Sequence, residues 1–561
     1  MTFLTPAIMS GEDWRALELA VARIMSHCGW TSVQDVARSG DKGADILAVR
    51  RVSDQAKDDT YLVQVKSVGS GTYVGLSALQ QALDAQGYYG ARIVVIATNG
   101  DFTKSVVERA KVLNGKGFNI RLWNGKFLYD LLAQYPEDSA CKQPLRPYQQ
   151  QVCDKILSAV EKGEGQHLIV LATGLGKTTV SAAVTDILIK RGFSKALVLC
   201  HSVDLASQLQ REFWNQLSKS VPTRHFSDGE PPVAIDGVNF GLYQTMYNYL
   251  GGISKGSFDL VIVDEAHHAL ANAFALCVNH LKPRVLIGMT ATPERGDGRS
   301  ITALFGEPVI ELSLVDGMRM GYLAQVDYRL MCDNINWDEL SNLSDKPVSI
   351  GELNKRTFLP QRDDAVIDEI LRVVSQEALS RIIIFSPSVA HSDEFARKLS
   401  TRGIRTANLS IPDKIQRRSI LMEFAAGRIS AVTAVDVLNE GIDVPQVNLV
   451  VFLRATHSRR IFVQQLGRGL RLAPGKEKVI VLDFVSDLRR ISAVQKLGRE
   501  IQRKYSRDIQ RVWLVDSKVS FSSSRVRAFA DAYLQDKGDI EDLSERNTLL
   551  FPKELDNGQP S

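Results

Sequence analysis

The stretch Leu168-Ile-Val-Leu-Ala-Thr-Gly-Leu-Gly-Lys-Thr-Thr179 constrains the fold more tightly than any other part of this 561-residue chain. Five apolar residues run without alternation into a glycine-containing turn, and Gly176-Lys177-Thr178 then opens a helical pattern. A run that is apolar at every position belongs to a strand buried on both faces, as in a parallel sheet covered by helices. The glycines let backbone N–H groups close around a phosphate, and the helix start adds its positive dipole end. Lys177 can then reach the β- and γ-phosphates of a nucleotide, and the Thr178 hydroxyl can ligate magnesium. Thr173, Gly174, Leu175, Gly176 and Thr179 complete the phosphate-binding turn. The first glycine of the full GxxxxGK pattern is absent, because Leu171 stands there.

Further along, Phe258-Asp-Leu-Val-Ile-Val-Asp-Glu-Ala-His267 places two adjacent carboxylates at the end of another buried strand. An open α/β sheet presents its ligands there, at the carboxyl ends of its strands. Asp264 is suited to holding magnesium, and Glu265 to orienting and deprotonating an attacking water. Short apolar runs continue the alternation at Leu168–Ala172, Ala196–Cys200, Leu260–Val263 and Val285–Met289. A second alternating block begins near Gln361, with runs at Ile382–Phe385, Ala431–Val435, Leu449–Leu453 and Val479–Leu482. Two α/β blocks of similar size, joined through Val315–Leu359, predict two stacked nucleotide-fold domains.

With these motifs in place, the chain resembles a superfamily 2 helicase or translocase of the DEAH type. The segments around Lys177 and Asp264 resemble its motifs I and II. Leu145-Arg-Pro-Tyr-Gln149 resembles the adenine-contacting segment, which assigns Arg146 and Gln149 to the nucleotide. Leu197–Gln208, with His201 and Gln208, resembles motif Ia, and Tyr243-Gln-Thr-Met246 the neighbouring strand-contacting motif. Gly288-Met-Thr-Ala-Thr-Pro293 resembles the coupling element, with His267 expected to hydrogen bond towards Thr290 or Thr292. His268 is read as a local surface or packing residue. Ala434–Pro445 resembles motif V and contributes Gly441 and Asp443 to the nucleotide site. Gln464-Gln-Leu-Gly-Arg-Gly-Leu-Arg471 resembles motif VI, which implies catalytic roles for Gln464, Arg468 and Arg471. Arginine fingers of this kind contribute about 10³–10⁵ in rate in phosphoryl transfer. The resemblance covers roughly residues 143–484 and implies ATP and Mg²⁺ as cofactors.

The first block, about Gly11 to Tyr135, carries a different constellation. A helical pattern (Trp14, Leu17, Val21, Ile24, Met25) contains Glu18 and precedes strand-like runs at Ala44–Arg51, Tyr61–Lys66 and Arg92–Thr98. Gln64 and Lys66 lie two apart on one strand and so share a face. If Ala44–Arg51 and Thr60–Ser67 pair about the polar loop Val52–Asp59, Asp45 falls nearly opposite Lys66. An acid pair, an amide and a lysine can together hold magnesium, activate water and offset phosphate charge. Gly40-Asp-Lys-Gly-Ala-Asp45, the Gln64-Val-Lys66 strand and the later Val94–Thr98 strand resemble the Mrr-like branch of the restriction endonuclease fold. In that branch a Glu from the first helix joins an Asp…Gln-x-Lys pattern. The resemblance implies catalytic roles for Glu18, Asp45, Gln64 and Lys66, with Glu18 and Asp45 as metal ligands.

The expected fold class is therefore α/β: a restriction-endonuclease-like domain (1–136), a polar linker (137–144), two tandem RecA-like domains (145–325 and 326–486) and a mostly helical tail (487–561). Within the tail, Arg489–Arg511 holds eight Lys or Arg against two acids, a solvated helix face or a phosphate-contacting element. Net charge is only +4 and decides nothing about a nucleic-acid partner. No apolar run approaches the ~18 residues of a membrane helix. The start of the chain lacks a secretory pattern, and six cysteines are scattered without a CxxC pair. The expected location is cytoplasmic. The expected function is an ATP-driven DNA translocase or helicase with an attached magnesium-dependent endonuclease, working in restriction or defence with partner subunits, on double-stranded DNA. The rival readings are a DNA-stimulated ATPase whose N-terminal domain binds DNA without cutting, and an RNA helicase.

Overall fold

The computed structural model describes residues 2–36, 43–50, 58–226, 232–266, 272–291, 301–331, 347–349, 363–377, 379–435, 446–453, 472, 476, 478–484 and 548–550. The chain forms two compact units, the first of which also takes in Asp413–Arg428.

The N-terminal part of the first unit begins with helix α1 (Trp14–His27), whose Asp13 cap accepts the Ala16 N–H at 3.0 Å. Strands β1 (Thr31–Asp35), β2 (Ile46–Arg50) and β3 (Asp59–Lys66) follow as an antiparallel meander. After α2 (Leu76–Tyr89), strand β4 (Ile93–Thr98) lies parallel to β3. After α3 (Lys104–Gly115), β5 (Ile120–Trp123) lies parallel to β4, and α4 (Gly125–Ala133) closes the domain. The sheet order is β1-β2-β3-β4-β5. Strand alternation sorts the core into two layers. Leu17, Val21 and Ile24 of α1 pack with Ile46, Val63, Val65 and Val95 on one face. Ala78, Leu79 and Ala82 of α2 pack with Leu47, Leu62, Val94 and Ile96 on the other.

A second sheet follows α5 (Pro147–Glu161). Its elements are β6 (Gln166–Leu171), α6 (Lys177–Lys190), β7 (Lys195–Cys200), α7 (Val203–Trp214), β8 (Thr223–His225), β9 (Gly237–Leu242), β10 (Leu260–Val263), β11 (Val285–Thr290) and β12 (Pro308–Leu312). They form a seven-stranded parallel sheet in the order β8-β9-β7-β10-β11-β6-β12. The expected apolar runs all fall on strands, because a strand covered by helices on both faces must be apolar throughout. Strand β9 was hidden by Asn239. Its buried side chain donates to the Ala196 and Ile235 carbonyls and accepts from the Ile235 N–H, so the polar atoms are spent inside the fold.

The segment expected as a linker is pinned down along its length. The Pro136 carbonyl meets His27 Nε2 at 3.0 Å, Ala140 N donates to the His27 carbonyl at 2.9 Å, and Lys219 Nζ donates to the Tyr135 carbonyl at 2.8 Å. Beneath it, Trp214 of α7 enters the core around α1. Arg23 of α1 is buried, donates to the Ser218 carbonyl at 3.1 Å and lies over the Phe3 ring. Ser218 in turn donates its N–H and hydroxyl to Asp186 of α6, at 2.8 and 3.0 Å. Burial pulls the Arg23 guanidinium down to about 9, against the opposing pull of Asp186 and Glu137.

In the second unit, β13 (Gln325–Met331), β14 (Ile382–Phe385), β15 (Thr406–Asn408), β16 (Ala431–Ala434), β17 (Leu449–Phe452) and β18 (Lys478–Phe484) make a parallel sheet in the order β13-β18-β17-β14-β16-β15. Val366, Ile367, Ile370 and Val373 from α8 (Asp363–Glu377) pack on Ile382, Ile384, Val451 and Leu482, and α9 (Val389–Thr401) follows β14. Of the tail expected to be mostly helical, the described residues Thr548–Leu550 form a strand paired antiparallel with Pro347–Ser349.

Because Asp186 accepts both hydrogen bonds of Ser218, pairs with Lys190 at 2.8 Å and favours the charge of the buried Arg23, Asp186→Ala should cost about 3 kcal/mol, the penalty of leaving buried charge uncompensated. The measurement is urea unfolding followed by tryptophan fluorescence, and an unchanged midpoint would contradict this account.

Candidate functional sites

The turn from β6 into α6 has Gly174 at φ +87° and Gly176 at φ +82°, values that favour glycine. A Cβ on Gly176 would also run into the Gln149 amide. Gln149 is buried. Its Oε1 accepts the Arg146 N–H at 2.9 Å, tying the start of α5 to the phosphate turn. Lys177 Nζ donates to the Leu171 carbonyl at 3.1 Å, which folds the amine back over the turn.

Since all strands run parallel, their carboxyl ends share one edge. At that edge Asp264 continues β10, its N–H bonded to the Leu199 carbonyl at 3.0 Å. Glu265 takes φ +48°, a left-handed conformation uncommon for a glutamate. Burial, then the adjacent Glu265, push the Asp264 carboxyl up to about 7, while Lys177 draws it down. Lys177 and Asp264 thus sense each other although β11 lies between the strands they follow. Thr290 ends β11 fully buried at the same edge. Glu212 of α7 adds to the negative potential on Asp264 and holds the Gln208 amide at 2.7 Å. Sequence reasoning missed Glu212; its spacing of four from Gln208 on a helix was the available signal. His267, Thr292, Gly441, Asp443, Gln464, Arg468 and Arg471 lie outside the described residues.

In the N-terminal domain, Asp45 Oδ2 accepts from Gln64 Nε2 at 2.7 Å and from the Val65 N–H at 2.5 Å. The expected pairing of Asp45 with Lys66 is therefore off by two residues. The ladder runs Ile46↔Val63 to Arg50↔Asp59, which sets Asp45 against Gln64. A slip of two keeps every side chain on its own face, so alternation alone does not discriminate between the registers. Gln64 Oε1 is buried without a hydrogen-bond partner, and a Cβ on Gly43 would lie 3.2 Å from it. A buried acceptor left over beside a carboxylate fits a cation. Lys66 lies half-buried on the same face at the strand end. Glu18 comes from α1, on the opposite layer, and is buried on the wall of a cleft of about 1170 Å³ lined also by Trp14, Arg15, Arg211 and Arg224. Among the described residues, no group of three His, Cys, Asp or Glu side chains is placed to hold a metal. Asn99, also missed, ties the end of β3 to β4. Its Oδ1 accepts the Val68 N–H at 2.8 Å and its amide donates to the Val68 and Met9 carbonyls.

A carboxyl raised above its unfolded value opposes folding once the unfolded chain ionises, so stability falls as pH rises from about 4 to about 7. Asp264→Asn should therefore raise the melting temperature of the nucleotide-free protein at pH 8, with the gain vanishing near pH 4. Equal gains at both pH values would refute the assignment of burial as the cause.

Three family models match the chain: "Restriction endonuclease" over residues 9–132, "Type III restriction enzyme, res subunit" over 142–295 and "Helicase conserved C-terminal domain" over 363–473. IRC3 of Saccharomyces cerevisiae, which carries the name of an ATP-dependent helicase, is 24% identical over 430 residues, covering 72% of this chain and 61% of its own. The type I restriction enzyme EcoAI endonuclease subunit of Escherichia coli is 25% identical over 411 residues, covering 65% and 49%. The solved structure of the ATP-dependent type ISP restriction-modification enzyme LlaBIII bound to DNA superposes with a TM-score of 0.49 at 19% identity, over 86% of this chain and 39% of that one. The chain thus spans between 39% and 61% of the length of these three relatives. By its domain matches and sheet topologies, the chain joins a restriction endonuclease domain to two RecA-like helicase domains.

Proposed function

We propose that the chain is an ATP-dependent DNA translocase or helicase carrying a magnesium-dependent DNA endonuclease, and that it acts in restriction or another defence against foreign DNA. The observation that carries the motor reading is the parallel sheet that brings the phosphate turn, with Gly174 and Gly176 at positive φ, and the buried Asp264 to one edge. Lys177 would bind the β- and γ-phosphates, and Thr178 and Asp264 would hold magnesium, which when bound neutralises the phosphate charge. Glu265 would orient and deprotonate the attacking water. Arg468 and Arg471 would reach the γ-phosphate, with Gln464, Gly441 and Asp443 completing the second domain's share.

For the endonuclease, the Asp45–Gln64 pair with its spare amide oxygen supports cation binding, with Lys66 facing the scissile phosphate, while Glu18 lines a separate cleft on the opposite layer. The placement of Glu18 on the opposite layer from Asp45 and Gln64 favours a second reading, a DNA-stimulated ATPase whose N-terminal domain docks DNA without cutting it. The names of the restriction-enzyme relatives support DNA as the track and partner subunits as company. A cytoplasmic location belongs to the same reading. The five described cysteines are free thiols, and burial pushes Cys28, Cys153 and Cys277 up to about 12. No described helix is long and apolar enough to cross a membrane.

ATP turnover and nicking measured together on single-stranded, double-stranded and methylated DNA, and on RNA, separate these readings. Lys177→Ala and Glu265→Gln should abolish ATP turnover, and Arg468→Ala should lower it by about 10³-fold or more. Asp45→Ala and Lys66→Ala should stop nicking with turnover intact. Turnover retained in both Lys177→Ala and Glu265→Gln would remove the motor reading, and a wild-type protein that leaves every DNA form uncut would remove the endonuclease.

A further inference from the structure

Helix α10 (Lys414–Ala425) lies in sequence between β15 and β16, neighbouring parallel strands of the second helicase sheet. Residues Asp413–Arg428 nevertheless belong to the first compact unit, where α10 packs on α2 and β2 of the endonuclease domain. Met422 is 1% exposed and sits in one apolar core with Val36, Ala44, Leu47 and Tyr89. That makes it a core residue of a domain that begins some four hundred positions earlier in the chain. Two polar contacts flank it. Arg418 Nη1 donates to the Val36 carbonyl at 3.1 Å, and Ser419 Oγ to the Tyr89 carbonyl at 3.4 Å. Glu423, which pairs with Arg428 through both carboxylate oxygens, lies beside Gly90 at the end of α2.

The Val36 peptide leads directly to the acid of the endonuclease site. Its N–H donates to the Asp45 carbonyl at 2.7 Å, and the Asp45 carboxylate holds Gln64 and the Val65 N–H. Two hydrogen bonds therefore connect the Arg418 guanidinium to the peptide that carries the acid. The donor in the first is charged, which makes it stronger than a neutral pair. A displacement of α10 cannot leave Val36 in place without giving up this bond and exposing Met422.

We propose that Arg418 is a positioning residue for Asp45, and that α10 makes cleavage respond to the nucleotide state of the helicase domains. The inference rests on the reading of Asp45 and Gln64 as the cleavage site. Coupling of this kind needs an element that two sites both bias, and α10 is covalently part of one domain while filling the core of the other.

The test uses the full chain with magnesium and supercoiled plasmid, comparing nucleotide-free protein, ATP and a non-hydrolysable ATP analogue. ATP turnover and hydrogen exchange over residues 31–50 are recorded in parallel. Arg418→Ala should lower nicking on the order of tenfold, the worth of one charge-assisted hydrogen bond. It should also remove the difference between nucleotide states, speed exchange at Val36 and leave turnover unchanged. Arg418→Lys, which keeps a charged donor, should restore most of both. Wild-type nicking and nucleotide response in Arg418→Ala would overturn the proposal, and so would an equal loss of nicking in every nucleotide state. If the wild-type protein nicks nothing, the cleavage-site reading fails and the exchange data decide the coupling. Protection at Val36 that shifts with nucleotide in the wild type but not in Arg418→Ala upholds it, and protection indifferent to nucleotide overturns it.

Discussion

Parallel strand pairing sets the chemistry of the motor. In the first helicase sheet, β6, β10 and β11 all point the same way, so the phosphate turn after Leu171, the acids after Val263 and Thr290 arrive at one edge. Crossover helices on both faces are the price of that arrangement, and they force the strands to be apolar throughout. The same burial strips water from Asp264 and lifts its carboxyl to about 7. A cation bound beside Asp264 would offset that lost solvation.

The endonuclease domain uses its sheet differently. Its antiparallel meander brings Asp45 against Gln64 through ladder register, and its parallel half anchors the end of β3 through Asn99. The two layers of its core divide the work. One carries Arg23, Trp214 and the contacts to the motor sheet, and the other receives Met422 from α10. The domain is thus held from both faces by segments distant in sequence.

How much of this was legible depends on the range of the interaction that writes it. Buried parallel strands were plain, because an unbroken apolar run such as Leu260–Val263 has few other uses. The phosphate turn was equally plain, since Gly174 and Gly176 serve backbone conformations that other residues adopt poorly. Strand β9 escaped because Asn239 hides its polar atoms in local hydrogen bonds that a hydropathy pattern does not see. The hairpin register was off by two because a slip of two preserves both faces, and only the bonds from Asp45 to Gln64 and Val65 decide it. Residues 135–144 read as a tether from their prolines and acids, yet their backbone is bonded to His27 and Lys219, partners that no local window contains. Met422 reads as an ordinary apolar position of its own helix, and only the tertiary fold shows whose core it fills.

That pinned connection bears on how such a chain can change over time. A nuclease on a loose tether can be exchanged for another as a cassette, since the tether makes no demands of what hangs on it. Here the seam is keyed by a buried guanidinium over Phe3, an indole inserted from the neighbouring helix and a strap bonded along its length. Any replacement must reproduce that shape and that charge, so recombination at the domain boundary is penalised and the two halves are expected to diverge together. A fixed seam also sets a constant distance between the Asp45–Gln64 pair on one sheet and Asp264 at the edge of the other.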